Sequence, residues 1–378
     1  MQTPYYQYDS GLLQTTLDTA KAQASRYGYM IHYAIKANAN PSLLKIISQA
    51  GFGADCVSGN EVRVALENGF KPEGIVFAGV GKTDREIEYA IEQNIYCIHC
   101  ESVQEFQVIE MIAQRLNKNV RVALRINPNV DAHTHKSITT GLKDNKFGMS
   151  VTEAQSIINA GNRYKNIELI GLHFHIGSQI LNMEVFKNLA LEVNRIQTLL
   201  HTHNFPYINL GGGLGIDYKS PESNSIPNFN EYFETFHNHL ELEHNQHVHF
   251  ELGRSIVGQS GKLITRVLFT KRAETKDFLV TDAGMNALIR PALYGAYHHI
   301  ENISKKDYPA NQTYDVVGPI CETTDCFGKD ILLPPSERGD ILVIHSCGAY
   351  AESMASDYNL REKPHTILLD SNKLSECY

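Results

Sequence analysis

Short apolar runs alternate with stretches of helical spacing along the first two thirds of the chain. Eight runs read as buried strands: 31–36, 52–57, 74–78, 95–99, 120–126, 169–175, 207–210 and 247–252. They are mostly apolar and rich in Ile, Val, Phe and Tyr, the pattern of strands covered on both faces. Between Gly11 and about Tyr27, Leu12, Leu13, Leu17, Ala20 and Ala24 recur at helical spacing, and 182–201 and 229–243 also read as helices. Asn40-Pro41-Ser42 predicts a helix start with proline near its first position, and Ser58-Gly-Asn-Glu61 predicts another. Eight strands alternating with helices over about 220 residues is the count and length of a (β/α)8 barrel. An open doubly wound sheet ranks second, because it usually has fewer strands.

After Leu252 the texture changes. Residues 260–270, 277–281, 313–317 and 340–344 are short, rich in β-branched side chains and separated by little of helical period. They predict a C-terminal β domain, and the aromatic stretch Pro4–Tyr8 is expected to join it as an N-terminal strand. The expected division is a barrel over 11–251 and a β domain made of 1–10 and 252–378.

A net charge of -8 argues against nucleic acid and anionic membrane surfaces as partners. No apolar run approaches the ~20 residues of a membrane span. Met1-Gln-Thr-Pro-Tyr-Tyr6 has neither the basic nor the apolar part of a secretion signal, so a soluble cytoplasmic protein is expected. Seven scattered cysteines fit reduced thiols better than a disulfide framework. Cys97-Ile-His-Cys100 lies inside a strand-like run and reads as two core cysteines. His173, His175, His247 and His249 alternate on strands, but no carboxylate spacing completes a metal set, so no metal is expected.

The candidate chemistry sits at strand ends, where barrel enzymes carry it. Lys36 ends the first strand. Desolvation there lowers a lysine pKa, which is useful if the amine must attack an aldehyde; the plain alternative is a packed stem with its head in water. The seventh strand runs into Leu210-Gly-Gly-Gly-Leu-Gly215 and the eighth into Glu251-Leu-Gly-Arg254. Glycine turns let backbone N–H groups approach phosphate oxygens, and Arg254 adds a cation. A phosphate-bearing cofactor next to a strand-end lysine suggests pyridoxal 5'-phosphate. Glu251 could then face the ring nitrogen, or simply pair with Arg254. His175 could cover the ring and Ser178 reach the phosphate, or His175 could be a core histidine.

With these motifs in place, the chain resembles the diaminopimelate decarboxylases, of the alanine-racemase-like group of pyridoxal-phosphate enzymes. The resemblance spans nearly the whole chain. It rests on Tyr33-Ala-Ile-Lys-Ala-Asn38, Gly53-Ala-Asp-Cys-Val-Ser-Gly59, His133-Thr-His135 with Lys146-Phe-Gly148, His173–Gln179, Gly211–Gly213, Glu251–Arg254, Met285–Tyr294, Val317–Glu322, and Gly348-Ala-Tyr350 with Met354–Asn359. It implies a barrel plus a β domain, and a homodimer with shared active sites. It implies that Lys36 carries the cofactor and His175 stacks on its ring. Asp55, Ser178, Gly212, Gly213, Glu251, Gly253, Arg254 and Tyr350 would hold the cofactor. Arg254, Arg290, Tyr294, Glu322 and Tyr350 would bind substrate, and Cys321 would return a proton after carbon dioxide leaves.

Two departures stand out. Leu252 replaces the family's usual proline, and Thr323-Thr-Asp-Cys326 differs from its usual run. The expected reaction is meso-2,6-diaminopimelate to L-lysine and carbon dioxide. An ornithine or arginine decarboxylase is the alternative, but its substrate lacks the distal carboxylate that two arginines would bind. An alanine racemase would set arginine, not glutamate, against the ring nitrogen. A non-catalytic cofactor-binding paralogue would be expected to have lost Lys36 or Cys321.

Overall fold

The computed structural model describes residues 2–130 and 145–369. His133 and His135 of the motif above, and the polar tail 371–378, lie outside them. The described chain forms two compact units. Residues 17–215 with 228–253 make one, and the remaining described residues make the other.

The first strand, β1 (Tyr5–Asp9), belongs to the second unit. The next eight close a barrel: β2 (Met30–Ala34), β3 (Gly53–Cys56), β4 (Ile75–Phe77), β5 (Cys97–Cys100), β6 (Val120–Arg125), β7 (Ile167–His173), β8 (Tyr207–Asn209) and β9 (His247–Leu252). All neighbours are parallel, and β2 pairs with β9 to complete the ring. The (β/α)8 reading of the sequence is therefore correct. Inside the ring Val76, Cys97, Ala123, Ile170 and Tyr207 form one buried cluster. Cys97 and Cys100 are both buried and free, and so are core cysteines.

The helix starts follow from the sequence. Pro41 opens the helix Pro41–Gln49, where its missing N–H costs nothing, and the Asn40 side chain accepts the Ser42 N–H at 3.0 Å. Ser58 caps Gly59–Glu67 by accepting the Glu61 N–H at 3.2 Å, while Glu61 accepts the Val57 N–H at 2.7 Å. Two strand ends differ from expectation. The ladder of β7 stops at His173, opposite Asn209, because β8 is only three residues long. His175 thus lies beyond the strand. Lys36 sits in a 3-10 turn, Ile35–Ala37, just after β2.

The second unit is a mostly antiparallel sheet. Its strands are β10 (Gly261–Arg272), β11 (Asp277–Thr281), β12 (Ile300–Asn302), β13 (Gln312–Val317), β14 (Cys326–Leu333), β15 (Ile341–Ile344) and β16 (His365–Leu369). The order is β12-β15-β10-β11-β13-β14, and β1 lies between β10 and β16. β10 bends at Val267–Phe269, so its first half pairs with β1 and β15 and its second half with β11. The sequence pattern missed β12, β14 and β16. Each pairs with a single neighbour.

Candidate active site

In the barrel unit the chemistry gathers around Glu251, at the end of β9. Its carboxylate is buried, yet well supplied with donors. Asn209 Nδ2 donates to Oε1 at 2.9 Å and His173 Nε2 donates to Oε2 at 3.1 Å. His99 Nδ1 stands 3.3 Å from Oε1, and its ring stacks on His173 at 4.0 Å. His99 Nε2 meets the Tyr207 hydroxyl at 2.9 Å, and that hydroxyl accepts from Asn209 Nδ2 at 2.7 Å. Burial alone would push Glu251 up. The two histidines outweigh it and hold the carboxyl well below the usual carboxylate range. His173 is driven down to about 3, chiefly by burial, so it donates as a neutral ring. The result is an ionised carboxylate fixed in direction by a buried polar network.

Beside it, Asp55 on β3 is also buried, but neither of its carboxylate oxygens has a hydrogen-bond partner. Lys36 Nζ is 3.6 Å from Asp55 Oδ2. Burial, and then the charge of Glu251, raise Asp55 to about 7, against the opposing pull of Lys36. Past β7, His175 Nδ1 accepts the Gly212 N–H at 3.2 Å, so the neutral ring carries its proton on Nε2. Burial and then the charge of Lys36 hold His175 well below its ordinary value. Ser178 follows in the turn after it.

Glycine is required in the turn after β8. Gly211 has φ +66°, and a Cβ at Gly212 would overlap the Glu251 carbonyl oxygen. Asn209 Oδ1 accepts the Gly211 N–H at 2.8 Å and so ties this turn to the Glu251 network. At Gly253 a Cβ would come within 2.9 Å of Ala37 Cβ, which keeps the end of β9 close to the Lys36 turn. The barrel unit thus brings together Lys36, Asp55, His175, Gly212, Glu251 and Gly253. Its supporting residues His99, Tyr207 and Asn209 were not singled out from sequence. The available signal was a polar residue within the last three positions of β5 and β8, and for His99 the C-x-x-C reading obscured it.

The second unit gathers a different set around Tyr218. Arg254 donates from Nη1 to the Tyr218 hydroxyl at 2.7 Å, and its guanidinium lies 4.8 Å from the centre of the Tyr350 ring. Arg290 stands over the other ring of the set, 4.5 Å from the centre of Tyr218. Both guanidiniums are buried. Arg290 Nη1 donates to His298 Nε2 at 2.6 Å, and His298 Nδ1 donates to the His345 carbonyl at 2.8 Å. His298 is driven down to about 3, by burial first and then by Arg290. Arg290 Nε is buried with no hydrogen-bond partner. A buried cation with a spare donor suits a bound carboxylate. Tyr294 ends the short helix that Arg290 begins.

Cys321 is exposed, and its N–H donates to Asn359 Oδ1 at 3.0 Å. Glu322 accepts from the Tyr358 hydroxyl at 2.6 Å. Asp325, in the unusual Thr323–Cys326 run, fixes this loop. It accepts the Met285 and Ile320 N–H groups, each at 2.6 Å, and a Cβ at Gly318 would overlap its carboxylate.

Known proteins match along the same length. Residues 13–258 match the family model described as "Pyridoxal-dependent decarboxylase, pyridoxal binding domain". The diaminopimelate decarboxylase of Bacteroides thetaiotaomicron is 51% identical over 367 residues, covering 96% of this chain and 95% of that protein. A crystal structure of the Helicobacter pylori diaminopimelate decarboxylase, complexed with L-lysine, superposes with a TM-score of 0.89 at 40% identity, covering 98% and 92% of the two chains. The M. jannaschii diaminopimelate decarboxylase in co-complex with L-lysine gives 0.90 at 34% identity over 98% and 88%. With the barrel, the β sheet unit and these near-full-length identities together, the chain belongs to the diaminopimelate decarboxylase family of pyridoxal-dependent decarboxylases.

Proposed function

We propose that this protein converts meso-2,6-diaminopimelate to L-lysine and carbon dioxide, the last step of lysine biosynthesis, with pyridoxal 5'-phosphate as cofactor. The observation that carries this reading is 51% identity to a diaminopimelate decarboxylase over nearly the whole of both chains. The residues fit the cofactor. Asp55 is a buried carboxyl with no hydrogen-bond partner, 3.6 Å from the Lys36 amine, Glu251 is a buried ionised carboxylate, and the Gly211–Gly213 turn leaves its backbone uncovered by side chains.

Lys36 would hold the cofactor covalently, with Asp55 placed to take or return a proton at Nζ. Glu251 would keep a proton on the ring nitrogen, and the uncharged face of His175 would cover the ring. Ser178, Gly212, Gly213, Gly253 and Arg254 would surround the phosphate. When bound, the ring draws off the electron pair that the departing carboxylate leaves behind.

Specificity falls to the other set. Arg254 and Arg290 would grip the carboxylate at the far end of the substrate, and Glu322 the ammonium beside it, with Tyr294 and Tyr350 flanking. Cys321 would deliver the proton that replaces carbon dioxide. The barrel over 11–251 would supply the cofactor site. The β domain of 1–10 and 252–378 would supply substrate and interface residues, in a cytoplasmic homodimer whose sites are shared. Among the described residues no helix is long and apolar enough to cross a membrane.

The test is a substrate panel. Protein loaded with pyridoxal phosphate is given meso-diaminopimelate, ornithine and arginine separately, and carbon dioxide is measured. Release from the first alone is expected; release from ornithine or arginine at an equal rate would overturn the reading.

A further inference from the structure

The β12–β15 edge of the second unit carries a cluster of ligating side chains that the decarboxylation does not use. The two strands are antiparallel, with Ile300 opposite Ile344 and Glu301 opposite Val343. One step further, His299 stands opposite His345, and the His345 N–H donates to the His299 carbonyl at 2.9 Å. His299 and Glu301 are two residues apart and so point to the same face. One face of a strand pair therefore presents two donors from one strand and a third from its neighbour. Nε2 of His299 lies 3.2 Å from Glu301 Oε1, and Nε2 of His345 lies 3.0 Å from Glu301 Oε2. The three donor atoms are all within 4.8 Å of one another.

These separations resemble the edges of a coordination shell. Zinc bonds of about 2.0–2.1 Å to imidazole and carboxylate place neighbouring ligand atoms roughly 3 Å apart. The donor set, two imidazoles and one carboxylate, is one that transition metals favour over magnesium or calcium. The site is closed on one side and open on the other. The His345 side chain is 2% exposed, whereas those of His299 and Glu301 are 32% and 37% exposed. The β-strand ladder fixes the backbone beneath all three.

We propose that His299, Glu301 and His345 bind one divalent transition-metal ion of the zinc type per chain, with water completing its coordination on the open side. The ion ties β12, an edge strand paired to β15 over only three residues, to the body of the sheet.

The test uses holoenzyme that has been treated with a chelator and dialysed. Zn2+ is titrated in competition with a chromophoric chelator of micromolar affinity. One ion per chain at micromolar affinity or tighter is expected, with a raised thermal midpoint on loading. His299→Gln, Glu301→Gln and His345→Gln should each weaken that site at least ~10-fold. Glu301→Gln should leave carbon dioxide release unchanged. Should His345→Gln not fold, the two half-exposed ligands decide the matter. A wild-type protein that holds no ion at micromolar Zn2+ would overturn the proposal, as would His299→Gln and Glu301→Gln variants that hold it as tightly as wild type.

Discussion

Asp55 is the residue of the barrel unit whose burial is least compensated. Its pKa rises from 3.8 to about 7, first through burial and then through the charge of Glu251. The folded chain therefore keeps a proton that the unfolded chain has lost between those two values. Stability from this group is present below about pH 4 and is lost as pH rises towards about 7. In cofactor-free protein, Asp55→Asn should raise the free energy of unfolding at pH 8 by on the order of a few kcal/mol, read from denaturant melts, and raise it much less at pH 5. A variant no more stable than wild type at pH 8 would remove the assignment. Arg290 makes the complementary case for specificity. Its guanidinium is already held by His298 and Tyr218 and keeps Nε free for a ligand. Arg290→Ala should lower kcat/KM for diaminopimelate by at least ~100-fold, and weaken competitive inhibition by a monocarboxylate amine such as lysine far less. Equal losses on both would reduce Arg290 to a structural part. Lys36, His175, Glu251, Arg254 and Arg290 were legible in the sequence because each sits inside a compact motif. Tyr207, His99, Tyr218 and His298 were not, because their partners lie elsewhere in the chain and meet them only when the sheet closes or folds back. His99 and Tyr207, for example, are 108 positions apart.

The elements differ in how openly the sequence announces them. All eight barrel strands could be read, because a strand buried on both faces is a continuous apolar run. Their ends drift by up to two residues, since a ladder stops where its shorter neighbour stops, as β7 does beside β8. The three missed strands, β12, β14 and β16, are all edges with one partner each. An edge keeps polar and charged residues where it meets water, as Lys329 and Asp330 do in β14, and loses the apolar signature. The turn after β8 carries a prediction at this scale. It depends on the close approach of Gly212 to the Glu251 carbonyl. Gly212→Ala must push the turn away from β9. The variant should keep its far-UV circular dichroism but release pyridoxal phosphate at least ~10-fold faster on dialysis, having lost alignment of the backbone donors. Unchanged retention would place the phosphate elsewhere.

For the whole molecule, the candidate residues divide between two units. Lys36, Asp55, His175 and Glu251 belong to the barrel unit, and Arg254, Arg290, Cys321, Glu322 and Tyr350 to the other. A homodimer with shared sites makes a specific demand on mixtures. Lys36→Ala and Cys321→Ala proteins should each be nearly inactive. If each site takes its lysine from one subunit and its cysteine from the other, a mixed dimer has one intact site. Equal amounts, randomly reassorted, make about half the dimers mixed, so activity should return to roughly a quarter of wild type. No recovery, with exchange of subunits confirmed, would mean that both residues act within one chain. The most direct measurement compares wild type with Lys36→Ala, each supplied with pyridoxal phosphate and meso-diaminopimelate, and follows carbon dioxide and L-lysine together. Wild type should release the two in equal amounts, and Lys36→Ala should be slower by at least ~1000-fold, because the amine that holds the cofactor is gone. A wild-type protein that yields neither product, or a Lys36→Ala variant within tenfold of wild type, would contradict the account.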